Sequence, residues 1–307
     1  HVKALFIFRH VRPVAALPRS HHSPVKLTSA ALWQSVEIPR PPEGNYFIMR
    51  LKLIACKSMS RELCYLSSLS QNNIDITFIR QGYHNAPDVL RQTLQNEIDS
   101  VESGRDPHTN ELGGNGDKIS PYNDEDFDAI LIGYGLCSNG IAGLHSQRHP
   151  LVIPRGHDCI TFFLGSKERY LEYFNTLPGC FWYTASWIEN ADMPCEASCQ
   201  RQISFYREKG YDEEDLEDFL EDMNGWTKSY QNAAYIKMPF FDNPEHQKFT
   251  KDAADFYHWN YTLLDGDLSL MQKFLNGQWD EETFLTVPPG SRVVPSNDSR
   301  IITCAQP

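Results

Sequence analysis

The sequence predicts an α/β protein built on a parallel, doubly wound, Rossmann-like sheet with a second α/β or helical lobe. Three observations carry this. Short apolar, β-branched runs alternate with helical stretches from Met49 to Trp187. One run, Leu151 to Pro154, is unbroken and apolar, as a strand buried on both faces must be. Turns rich in Gly, Cys and His follow the strands, where an open parallel sheet places its ligands.

Taken in order, residues 1–48 stand apart. They hold six basic and two acidic residues and six of the 19 prolines, whereas the rest carries 22 basic and 38 acidic side chains. This reads as a basic, Pro-rich extension outside the fold, or as a targeting segment whose prolines weaken any helix. Leu51 to Ala55 is the first predicted strand, interrupted by Lys52. Ser60 is placed to cap the helix RELCYLSSL. Ile74 to Ile79 alternates and predicts the second strand. Asn85 to Val101 repeats Leu90, Leu94, Ile98 and Val101 at helical spacing. Residues 103–124 form a long polar loop, a surface insertion or a lid. Phe127 to Ile132 and Leu151 to Pro154 predict strands three and four. Asp158 to Phe174 predicts one long helix, and Cys180 to Trp187 a fifth strand of the same sheet.

Beyond Trp187 the texture changes. Residues 49–187 are read as the domain that carries the site and 188–307 as a second lobe. That lobe has helices at Glu213 to Met223, Pro244 to Trp259 and Leu268 to Leu275 and a strand at Tyr261 to Leu264. PPG at 288–290 is expected to close the ordered part.

Ligands of such sheets bind at the carboxyl ends of the strands. Cys56 immediately follows the first strand, His84 comes after the second, Cys137 after the third, and His157, Asp158 and Cys159 after the fourth. Three thiols and an imidazole are a common zinc set, and thiolates also suit an iron–sulfur cluster. Cys56, Cys137, His157 and Cys159 are therefore candidate ligands of zinc or iron, although compact CxxC spacing is absent. The other reading is that these cysteines pack beneath the turns. A metal-free alternative uses Cys159 as a nucleophile. It would sit in the first turn of the long helix with Asp158 as cap, the helix dipole lowering its pKa and His84 or His157 as base.

Glu62 and Arg155 are the charged residues nearest this edge, as base or anion holder, or as a structural ion pair. The glycines of GYGLCSNG (Gly133, Gly135, Gly140), with Asn139, are candidates to cradle a cofactor's phosphate, or to form a tight strand-to-helix turn. The pattern is neither GxGxxG nor a P-loop. Cys195 and Cys199 are spaced for a second metal on a helix face; Cys64 and Cys180 are expected in the core.

Composition excludes some classes. Of 307 residues 41% are apolar, and the net charge is −12. That charge argues against nucleic acid. No apolar run approaches the roughly 18 residues of a membrane span. Eight irregularly spaced cysteines without a secretory signal suit a cytoplasmic protein.

Several segments resemble the domain-of-unknown-function family sixteen-thirty-eight. They are Ala55-Cys56, Arg61-Glu62-Leu63, HNAPDVL from His84, Ile98-Asp99, GYGLCSNG, PRGHDCITFFLGSKERY, Pro178-Gly179, Ser186-Trp187 and LLDGDLSLMQKFLNGQWDEETFLTVPPG. The resemblance spans about residues 50–290. The basic segment 1–48 has no counterpart, and Ser186 stands where the family has glycine. Family members occur in anaerobic bacteria and methanogens beside corrinoid-dependent methyltransferase genes. The resemblance thus implies methyl transfer or corrinoid handling, with a corrinoid protein or methyltransferase as partner. The expected function is a metal–thiolate enzyme acting on a small sulfur- or methyl-group substrate. The alternatives are a non-enzymatic corrinoid- or metal-binding accessory protein and the metal-free thiol enzyme.

Overall fold

A computed structural model describes residues 48–103, 126–212, 216 and 224–306. The basic extension to residue 47, most of the polar loop after Ser103 and most of the acidic stretch 213–223 lie outside the described residues.

The first sheet has five strands in the order β2-β1-β3-β4-β8. They are β1 (Arg50–Cys56), β2 (Asn73–Ile79), β3 (Ala129–Gly133), β4 (Leu151–Pro154) and β8 (Phe284–Val287). The first four are parallel, and β8 runs antiparallel to β4. All of β3 and β4 is buried. Lys52, the polar interruption in β1, is fully buried and reaches its cross-strand neighbour Asp75 at 3.1 Å. Helix α1 (Ser60–Leu69) connects β1 to β2, and α2 (Pro87–Glu102) follows β2. Pro87 opens α2, and Leu90, Leu94, Ile98 and Val101 form its buried stripe as the periodicity requires. Ser60 begins α1 rather than capping it: Met59 holds the cap position, without a side-chain hydrogen bond.

The long helix expected from Asp158 is two helices, α3 (Ile160–Leu164) and α4 (Lys167–Thr176). Gly165 separates them at φ +83°. A Cβ there would stand 2.6 Å from Asp267 Cγ. Ser166 then caps α4, accepting from Arg169 N at 3.1 Å. The helical pattern runs through this break because glycine does not interrupt hydrophobic periodicity.

The predicted fifth strand is shorter and belongs elsewhere. It spans β5 (Cys180–Thr184), and Thr184 caps α5 (Ala185–Asn190) through a bond from Trp187 N. β5 pairs in parallel with β6 (Asn232–Lys237), which pairs with β7 (Asn260–Asp265), in a separate three-stranded sheet. β5 thus lies before the boundary drawn after Trp187 and β6 beyond it, while β8 returns to the first sheet. Helices α6 (Glu196–Glu208), α7 (Pro244–Tyr257) and α8 (Ser269–Leu275) complete the described helices of this half. The second sheet has its own core, centred on Tyr183, Tyr235, Ala254 and Trp259. Order continues past Gly290: β9 (Arg292–Pro295) and β10 (Ile302–Ala305) form an antiparallel pair. No described helix is long and apolar enough to cross a membrane.

Gly165→Ala forces a side chain into both a left-handed backbone and the Asp267 side chain. It should lower stability by about 2 kcal/mol or more in urea unfolding; an unchanged midpoint would show that α3 and α4 tolerate a continuous helix.

Candidate functional site

β1 lies between β2 and β3, so the chain leaves the carboxyl ends of β1 and β3 toward opposite edges of the sheet. A crevice opens at such a point. Here it is a cavity of about 320 Å³. Cys56 comes from the end of β1, and Cys137 from the turn after β3. His157, Asp158 and Cys159 come from the turn after β4, and His84 from the connection after β2. All six expected residues line it.

Two turns form its floor, and they are locked together. Leu136 N donates to Gly156 O and Cys137 N to His157 O, both at 2.8 Å. This contact requires glycine. A Cβ on Gly135 would lie 2.7 Å from Asp158 N and 2.9 Å from Gly156 O, and one on Gly156 would lie 2.9 Å from Thr161 Cβ. Cys137, Ser138 and Asn139 then take φ of 45°, 56° and 66° in succession. Such residues cost about 1–3 kcal/mol each and cluster at functional sites. Arg91 of α2 secures the run by donating to Asn139 O at 3.1 Å.

The three thiols are neighbours in a poorly solvated patch. Burial raises the pKa of Cys56, Cys137 and Cys159. Mutual repulsion of the would-be thiolates, and the Asp158 charge, push Cys137 and Cys159 further up. Ser58 Oγ and Tyr134 Oη stand beside these sulfurs, buried and without a well-formed hydrogen bond. Asp158 is anchored, its Oδ2 accepting from Tyr170 Oη and its Oδ1 from Ile160 N, each at 2.9 Å. Desolvation raises its pKa, against the pull of those hydrogen bonds. His84 and His157 occupy the exposed rim. Partial burial lowers the His84 pKa, and the Asp158 charge opposes that.

The opposite wall was not foreseen. Cys180 and Trp182 of β5 and Trp187 of α5 line the cavity, so Cys180 is not a core residue. Trp187 Nε1 is buried and unpartnered. Cys64, also expected in the core, is exposed. Ser58 and Tyr134 could have been found from the sequence, since each follows a strand end by one or two residues. The β5 wall could not, because its sheet was misassigned.

Four other expectations change. Arg155 does not line the cavity. Its Nε donates to Glu281 O at 2.9 Å, and its Nη1 to the carbonyls of Arg300 and Ile302. Glu62 is also away from the cavity lining, fully buried beneath α5, with Oε2 accepting from Ser186 Oγ at 2.9 Å. Gly133, Gly135, Asn139 and Gly140 lie off the cavity lining too. Gly133 admits Ala55 and Gly140 admits Leu90, so the glycines serve packing. Cys195 caps α6, its Sγ accepting from Ser198 N at 3.4 Å. Among the described residues, no three His, Cys, Asp or Glu side chains are already disposed to hold a metal.

The fold and cavity define a mixed α/β protein with a mostly parallel central sheet and a thiol-floored, aromatic-walled cleft at its carboxyl edge. The chain belongs to the family described as "Protein of unknown function (DUF1638)", whose model matches residues 78–275. β1 with Cys56, and β8, lie outside the matched span. No curated protein matches the chain.

Two outcomes follow from these environments. Iodoacetamide at pH 7.5 should modify exposed Cys64 first, half-buried Cys159 only slowly because its thiol is held protonated, and buried Cys56 and Cys137 only after denaturation. A labelling pKa for Cys159 at or below about 8.5 would contradict the upward push of desolvation and the neighbouring thiols. Glu62, facing Arg61, Glu189, Ser186 and Tyr235, has its pKa raised by desolvation to about 7 from an ordinary 4.5. The native state therefore binds the extra proton. The stability this contributes is present below about pH 4.5 and lost as pH rises through about 7, roughly 3 kcal/mol in all. Glu62→Gln should accordingly be more stable than the parent at pH 8, with the gap closing toward pH 5 in denaturant titrations.

Proposed function

We propose that the cavity is a metal–thiolate centre, zinc or iron, including an iron–sulfur cluster. Cys56, Cys137 and Cys159 would be its ligands, with His157 at the mouth, and the protein would act on a small sulfur- or methyl-group substrate. One observation carries this reading. Three thiols from three separate strand ends share a patch where thiolates are unfavourable without a cation, and two buried hydroxyls, Ser58 and Tyr134, stand within reach of the sulfurs. Hydrogen bonds to metal-bound sulfur orient and tune such centres, and these hydroxyls are placed to supply them. The donor chemistry fits a thiophilic metal. The described side chains are not yet at coordinating positions, so no step is routed through the metal. When bound, it would stabilise thiolates and act as a Lewis acid.

The protein's own groups have roles that need no such step. The Trp182 and Trp187 wall excludes water. His84, with its pKa lowered by burial, is suited to exchange a proton at the rim. Tyr170 and Ile160 N fix Asp158 beside the thiols, a positioning role. The reversal of strand order at β1 supports reading the sheet as doubly wound and Rossmann-like. Eight unpaired cysteines support a reducing, cytoplasmic setting.

The cavity volume favours a small substrate over an enclosed corrin macrocycle. A corrinoid protein or methyltransferase partner would then meet the mouth of the cleft. The metal-free enzyme is the weaker reading. Cys159 sits before a helix of only five residues, and burial and neighbouring thiols raise its pKa rather than lower it.

Anaerobically purified protein should carry, or take up, about one metal per chain by plasma mass spectrometry, and Cys137→Ser should weaken uptake at least tenfold. Less than about 0.3 metal per chain after reconstitution of folded protein would end this reading.

A further inference from the structure

A second cavity, of about 510 Å³, lies between α4 and the turn joining β9 to β10. His157 lines both cavities, so they share a wall. Tyr170, in the second cavity, stacks on Phe174 with ring centres 6.2 Å apart and lies 6.5 Å from Trp182, which lines the first. On the α4 side Tyr170, Leu171 and Phe174 form an apolar strip next to Lys167 and Glu168, and the strip is uncovered: Leu171 is 57% and Phe174 62% exposed.

Its opposite side is built under strain. Ile301 lines it with φ of 65°, a left-handed conformation that β-branched residues avoid. Arg155 holds it there by donating to the carbonyls on either side, of Arg300 and Ile302. Lys167 adds a bond to Ser299 O at 3.4 Å. Strain so over-determined is typical of ligand clamps.

We propose that this second cavity receives the apolar body of the ligand whose sulfur-bearing end reaches the thiol floor past His157. The ligand class is a thiol or thioether carrying a hydrocarbon chain or ring. The sulfur end rests on the thiol-centre reading; the apolar subsite rests on Tyr170, Leu171, Phe174 and Ile301, with Lys167, Glu168, Asp298 and Ser299 at its polar edge.

The test is calorimetric titration of the full, anaerobically purified chain with 1-hexanethiol, 1-propanethiol and 1-hexanol. Hexanethiol should bind at least tenfold more tightly than propanethiol, from the extra methylenes buried. Leu171→Asp and, separately, Phe174→Ser, both at exposed positions, should reduce that preference below about threefold. Equal affinity of the two thiols, or a preference unchanged in both variants, overturns the proposal. Hexanol matching hexanethiol would overturn the sulfur-bearing ligand, while chain-length selectivity lost in Leu171→Asp would still support the apolar subsite. Failure of the thiol centre is thereby distinguishable from failure of this inference. A dimer that Leu171→Asp dissociates in sedimentation, with no chain-length preference in the parent, would assign Leu171 and Phe174 to a second copy of the chain and overturn it.

Discussion

The closeness of two turns governs this site. Gly135 lets the backbone after β3 lie against the backbone after β4, Gly156 leaves room for Thr161 behind the second turn, and two amide–carbonyl bonds at 2.8 Å hold the turns together. With that contact made, Cys137 and Cys159 must share one patch, and the chain from 137 to 139 must turn through left-handed conformations. A side chain on Gly135 would meet backbone atoms of Asp158 and Gly156, not a flexible tip that could swing away. The glycines thus bring the thiols together by permitting the packing beneath them, without touching a ligand.

Two charged residues show how burial redirects a side chain. Arg155 comes at the end of β4, one residue from the turn that carries His157, yet its guanidinium runs toward the C-terminal strands. Their carbonyls satisfy its donors, and a buried guanidinium without such partners would be costly. Glu62 lies six residues beyond Cys56, but α1 carries it beneath α5, where Ser186 supplies its hydrogen bond. Ser186 thereby gives a hydroxyl to a buried carboxylate at a position where glycine could give none. Proximity in sequence to a strand end placed both residues near the site; helix and strand geometry took them away from it.

Much of the floor of the cleft was legible in advance. Strand ends follow from local hydrophobic pattern, and in a parallel sheet the ends of successive strands lie on one edge, so Cys56, His84, Cys137, His157, Asp158 and Cys159 converge. The wall was not legible. CFWYTASW reads as a strand in any sheet, since alternation reports which faces are buried and not which strand is the partner. Its true neighbour, β6, lies about fifty residues on, and the place expected for it is taken by β8 from still further along the chain. The break at Gly165 escaped for a related reason: the apolar spacing on its two sides is compatible with one helix.

By itself, the sequence determined the alternation of strands and helices, the edge of the sheet that bears the chemistry, and the thiols upon it. These depend on local periodicity and on the connectivity rules of parallel sheets. Only the tertiary structure decided that a second sheet closes the cleft with Cys180 and Trp182, that Arg155 braces a strained turn at Ile301, and that Glu62 is sealed beneath α5. Each of those outcomes rests on contacts between segments tens to more than a hundred residues apart, where burial and unsatisfied hydrogen bonds select the partner and local pattern does not.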